Sequence, residues 1–126
     1  MDLPHVLDVT VLSAKDLNST NVFLSPAPSA YVVVNAIRSG RSKRRSSCYS
    51  TAKTSVVSSN HHPQWNEDIH LTIEGAGALT FNVFSHSMFS GETFLGQAAV
   101  DLSMYPAFYS DESVQLTLPL GLNNLA

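Results

Sequence analysis

The stretch Leu79–Gln97, LTFNVFSHSMFSGETFLGQ, reads as a strand that runs out into a loop and returns as another strand. Leu79 to Phe84 is β-prone, Ser90-Gly91 is a turn signal, and Phe94-Leu95-Gly96 resumes the apolar run. Between the strands, Ser85, Ser87 and Thr93 supply hydroxyls where an ion-binding loop carries acids. Met88 and Phe89 occupy the tip, in a loop whose one charge is Glu92.

Outward from this hairpin, strand signals recur and helical periodicity does not. Val6 to Leu12 alternates apolar with polar residues, and Ala30 to Ile37 is rich in β-branched side chains. Tyr49 to Val57, Asp68 to Ile73, Ala78 to Ser85, Phe94 to Leu102 and Ser113 to Leu118 complete seven short runs, separated by Gly, Pro, Asn and Ser clusters. That pattern predicts an antiparallel sandwich, with Leu102 to Phe108 fitting a helical turn. No repeat or linker divides the chain, and 126 residues suffice for one compact domain, 1–126, but not for two.

Composition narrows the class. No apolar run approaches the roughly 18 to 20 residues that span a bilayer, and the N-terminus lacks a signal-peptide pattern, so a soluble, cytoplasmic chain is expected. Cys48 is the sole cysteine, which removes disulfide frameworks and cysteine-based zinc clusters. Charged residues make up 13% of the chain against a typical value of about 25%, so hydroxyls serve much of the surface. All seven Lys and Arg lie at or before Lys53, while residues 54–126 hold seven acids and no base. An anion-attracting surface in the first half follows.

Two connections exceed what a hairpin needs. Asp16 to Pro28 carries Phe23-Leu24 at its centre. Arg38 to Cys48, RSGRSKRRSSC, holds Arg38, Arg41, Lys43, Arg44 and Arg45.

Four phrases in this order resemble the C2 domain family, over nearly the whole chain: LDVTVLSAKDL (Leu7–Leu17), SAYVVV (Ser29–Val34), HPQWNED (His62–Asp68) and FLGQAAVDL (Phe94–Leu102). The last two are most similar to the N-terminal C2 domains of HECT-type ubiquitin ligases. The resemblance implies an all-β, antiparallel Greek-key β-sandwich of seven to eight strands with type II topology, forming the N-terminal part of a longer protein. Domains that start with this strand usually carry an eighth one after VQLTLPL, where Gly121 to Ala126 is what remains here. The phrases also have local physical reasons. Trp65 can anchor a core, Pro63 stops the preceding segment from pairing onward, Asn66 suits a turn, and Gly96 suits a bulge or a close backbone approach.

Calcium-binding members of the family use aspartates from the first and third loops, and the resemblance places those positions on Ser29, Ser85, Ser87 and Thr93. A hard divalent cation needs several oxygens, preferably anionic, and hydroxyls are weak substitutes. No metal and no cofactor is therefore expected. The expected partner is an anionic phospholipid membrane surface, met by Arg38, Arg41, Lys43, Arg44, Arg45 and Lys53. A second contact, with membrane or protein partner, is expected from the loop tips Phe23, Leu24, Met88 and Phe89, which the family's architecture puts side by side at one end. The basic connection should then lie at the opposite end, and a side-on pose would let part of each surface touch one membrane. A protein partner or another domain of the same chain is the competing class.

Other chemistries lack their groups. His61-His62 has no Asp, Glu or Cys nearby in sequence to complete a zinc set. No Gly-x-Ser-x-Gly phrase or phosphate-cradling glycine loop is present, so no enzyme is expected. Nucleic-acid binding is disfavoured because no aromatic residue interleaves the basic run.

Overall fold

The computed structural model describes residues 5–17, 27–38, 48–73, 77–88, 91–104 and 115–121. Its strands are β1 (His5–Ser13), β2 (Ala30–Arg38), β3 (Cys48–Lys53), β4 (Gln64–Ile73), β5 (Gly77–Ser87) and β6 (Gly91–Asp101), followed by a 3-10 turn at Leu102–Met104. The strands form two antiparallel sheets, β1–β4 and β3–β2–β5–β6. Neighbours such as β1 with β4 and β2 with β5 are far apart in sequence, which is the Greek-key crossing of an antiparallel β-sandwich.

Alternation along each strand builds the core. On β1, Leu7 and Val11 are buried while Val6 and Leu12 face outward. On β2 the buried set is Ala30, Val32, Val34 and Ala36, and on β4 it is Trp65, Ile69, Leu71 and Ile73. Leu79 and Val83 of β5 and Ala98 and Val100 of β6 close the layer between the sheets. Trp65 anchors as its type predicts: the indole is buried and its Nε1–H donates to the Ala30 carbonyl at 3.1 Å. Glu67 shares the inward parity of β4, and its carboxylate accepts the Ser55 amide at 3.1 and 3.3 Å. Thr54, the buried polar residue of the core, accepts from the Val32 amide at 3.0 Å and donates to the Ser55 carbonyl at 2.9 Å.

Three readings need correction. The run Ser113 to Leu118 does not appear as a seventh strand: residues 115–120 carry no ladder, and residues 113–114 lie outside the described set. Leu116 and Leu118 pack on the core, and the segment meets β6 at one pair, Gln97 and Gly121, through two hydrogen bonds of 2.9 Å. Alternation was satisfied by burial, without a ladder. Gly96 permits this approach, since a Cβ there would lie 3.1 Å from Leu120 Cβ. The β6 bulge is beside it, where the pairing jumps from Val83–Gly96 to Phe84–Phe94 and passes over Leu95. Asn66 serves through its backbone instead of at a turn, taking φ 47 within β4, a conformation asparagine tolerates better than most residues. Finally, β5 and β6 extend further toward each other than Ser85 and Phe94.

Candidate functional site

The longer pairing of β5 with β6 reshapes the loop on which the sequence centred. Ser85 pairs with Thr93, His86 with Glu92 and Ser87 with Gly91, so the ladder leaves only residues 88–90 to turn the chain. Gly91 has φ 77, the left-handed geometry that closes a tight hairpin and that glycine adopts without strain. Hydroxyls at 85, 87 and 93 let the strands close without the repulsion that facing carboxylates would create. Opposite-natured His86 and Glu92 add a favourable cross-strand pair.

The same end is stitched to β2 and to the segment before β4. Ser85 Oγ accepts the Ser29 amide at 3.3 Å, Ser29 Oγ accepts the Ser59 amide at 3.2 Å, and the Ser29 carbonyl accepts the His86 amide at 2.9 Å. Glu92 is clasped from both sides. The Tyr31 hydroxyl donates to its Oε1 at 2.5 Å, and His86 Nδ1 lies 2.6 Å from its Oε2 and donates to it. The Tyr31 hydrogen bond first, and then that from His86, hold the Glu92 carboxyl below its ordinary range. In return, the bond to Glu92 raises the Tyr31 phenol above its own.

An aromatic row runs across the outer face beside this clasp. Tyr31 pairs with Phe84 and Phe84 with Phe94, on three adjacent strands. Tyr31 and Phe84 stack at 5.6 Å between centroids, and Phe94 meets Phe84 edge-on at 5.7 Å. Lys53, opposite Val33 on β3, brings its Nζ to 6.0 Å from the Tyr31 centroid.

The family's calcium chemistry can be tested against this donor set, and the residues do not fit it. Ser29 and Ser85 accept backbone amides, and the Glu92 carboxylate already accepts Tyr31 and His86. Among the described residues, no group of three or more His, Cys, Asp or Glu side chains assembles in a geometry that could hold a metal ion. His61 and His62 serve the chain instead: His61 Nδ1 lies 2.6 Å from the Leu17 carbonyl, and His62 Nδ1 accepts the Asp16 amide at 3.0 Å.

The C2 domain family model matches residues 5–120. The chain belongs to the C2 domain family. In sequence it is similar to Protein C2-DOMAIN ABA-RELATED 3 of Arabidopsis thaliana, 41% identical over 54 residues, which are 42% of this chain. The match spans 32% of that relative, so the chain corresponds to about a third of its length. In fold it is similar to a C2 domain of RIM from Drosophila, with a TM-score of 0.59 and 18% identity over 79% of this chain and 77% of that one. The calcium-bound pair of C2 domains of Extended-Synaptotagmin 2 matches with a TM-score of 0.61 and 19% identity, over 82% of this chain and 37% of that one. These likenesses carry the family and the fold, and not the ligase-type subfamily. C2 domains are typically non-catalytic modules that target membranes or proteins. No helix among the described residues is long and apolar enough to cross a membrane.

Within this C2 domain the predicted site residues separate. Met88 stands at the hairpin tip, 90% exposed, at the Ala30 end of the sandwich. Lys53 belongs to that end too. Arg38 closes β2 opposite Gly77, roughly 26 Å from Ala30 at about 3.3 Å per residue. Phe23, Leu24, Arg41, Lys43, Arg44, Arg45 and Phe89 lie outside the described residues. Sequence reasoning missed Tyr31, Phe84, Phe94 and the Glu92 clasp. Each aromatic sits at an outward position of its strand, but only the cross-strand register aligns them.

Proposed function

We propose that this C2 domain is a calcium-independent targeting module that docks peripherally on anionic phospholipid membranes. One observation carries the reading: the most exposed apolar side chain of the described residues, Met88, shares an end of the sandwich with the outward-facing Tyr31–Phe84–Phe94 row and with Lys53. Apolar groups beside a cation are what an interfacial surface requires. Arg38, Arg41, Lys43, Arg44 and Arg45 enlarge the electrostatic share, at about 1 kcal/mol per Lys or Arg near an anionic leaflet. Lying on the β2–β3 side of the sheet, the domain reaches the membrane with Lys53 at one end and the basic connection at the other. The hydroxyls of Ser29, Ser85, Ser87 and Thr93 stand in place of calcium ligands, so binding needs no metal. Residues 1–126 then act as one C2 targeting domain at a cytoplasmic membrane face.

A second reading, an autoinhibitory or protein-docking domain without lipid binding, is favoured by the half-buried, ring-packed outer face of Tyr31 and Phe84. Co-sedimentation with vesicles of phosphatidylserine and phosphatidylcholine separates the two. Binding that weakens with salt, and is lost on Arg44→Glu with Arg45→Glu, supports the proposal. Binding unchanged by those substitutions moves the attraction to the Met88 end, and no binding at any composition favours the protein-docking reading.

A further inference from the structure

We propose that Met88 is a site of reversible oxidation, and that one oxygen added to its sulfur releases the domain from the membrane; the inference rests on the docking surface above. Met88 follows β5 at the hairpin tip with 90% of its surface exposed. Hydrogen peroxide reaches such a thioether freely. The sulfur lone pair attacks one peroxide oxygen, the O–O bond breaks as the S–O bond forms, the sulfur loses two electrons, and water leaves. The sulfoxide is a polar hydrogen-bond acceptor, so its transfer from water into an acyl layer becomes unfavourable.

The surroundings confine the effect to the tip. The cross-ties at the hairpin root run through Ser85, His86 and Glu92, not through the thioether. Oxidation therefore changes what the hairpin presents and leaves its fold in place. The chain also contains its own control. Met104 is 72% exposed but follows the far end of β6, roughly 33 Å away along that strand at about 3.3 Å per residue. It shares the chemistry but lies at the opposite end from Met88, after β6 and at the other edge of the sheet from the β2–β3 side.

The test uses the whole chain and vesicles of phosphatidylserine and phosphatidylcholine. Protein is exposed to graded hydrogen peroxide, conversion at each methionine is read by peptide mass, and affinity is read by co-sedimentation. Affinity should fall in step with Met88 conversion, by about ten- to a hundredfold when complete, the range expected for losing one buried apolar side chain. Methionine sulfoxide reductase should restore it, whereas a thiol reductant alone, which reverses mild oxidation at Cys48, should not. Met88→Gln should reproduce the loss without peroxide, and Met88→Leu should bring the ratio of affinities before and after peroxide to about one. Met104→Leu should leave that ratio as in the unmodified chain. Thermal unfolding of oxidised and untreated protein should coincide, which separates a changed tip from a damaged fold. Unaltered binding after full Met88 conversion overturns the oxidation inference and spares the docking reading. Failure of the untreated protein to bind overturns both.

Discussion

The two ends of β2 differ in how the chain is held. At Ala30 the strand is tied by side chains to four other segments: Ser29 to Ser59 and Ser85, Tyr31 to Glu92, and the Ala30 carbonyl to Trp65. At Arg38 it ends in a backbone pair with Gly77 and leads into the basic connection. The first end holds its hairpin through hydrogen bonds of the chain's own side chains. The second concentrates cations along the sequence. The difference teaches that a C2 hairpin can be held at its root by neutral hydroxyls and one clasped carboxylate, while the sequence concentrates its cations beyond the other end of the strand.

The largest expected break comes from the link between the tied end and the core. Trp65→Ala should destabilise the domain by about 3–5 kcal/mol in urea denaturation, because it leaves a cavity and removes the donor to Ala30. A loss below about 1 kcal/mol would mean that the tied end does not depend on the core beneath it. Thr54→Val comes next, at about 1–3 kcal/mol, since it leaves the buried Val32 amide without its acceptor. Its effect should extend along β2 toward both ends.

Smaller and more local is Glu92→Ala. Amide exchange at 85–93 should accelerate while that of Ile37 and Ala78 at the far end stays constant; equal acceleration at both ends would erase the contrast. The pH dependence of the clasp has two limbs. Glu92 is depressed, so its contribution is present above the ordinary carboxylate value of 4.5 and is lost as pH falls through the lower folded value. Tyr31 is raised, so its share is complete below 10.0 and is lost as pH rises through the higher folded value. Protection of the 85–93 amides, with the intrinsic pH dependence of exchange divided out, should therefore be greatest between those limits, and a flat protection profile would remove the clasp from the account.

The sandwich was legible because its signals are local. Val6 to Leu12 alternates, Ala30 to Ile37 is β-branched, and the pairing of Leu79–Phe84 with Phe94–Gln97 needs only the hairpin between them. The aromatic row was not, because Tyr31, Phe84 and Phe94 become neighbours only through a register between residues 53 positions apart and a bulge between the last two. The closure of the hairpin to residues 88–90 was hidden too, since Ser85, Ser87 and Thr93 read as loop residues by propensity and pair as strand residues in context. Ser113 to Leu118 erred the other way: alternating apolar residues serve burial against the core without a ladder.

The central claim is docking without calcium, and vesicle binding measured in chelator and again in about 1 mM calcium, at the weak end of extracellular calcium modules, tests it most directly. The account predicts superimposable binding curves on anionic vesicles under both conditions. Binding that appears only with calcium, or tightens tenfold or more when it is added, would contradict it.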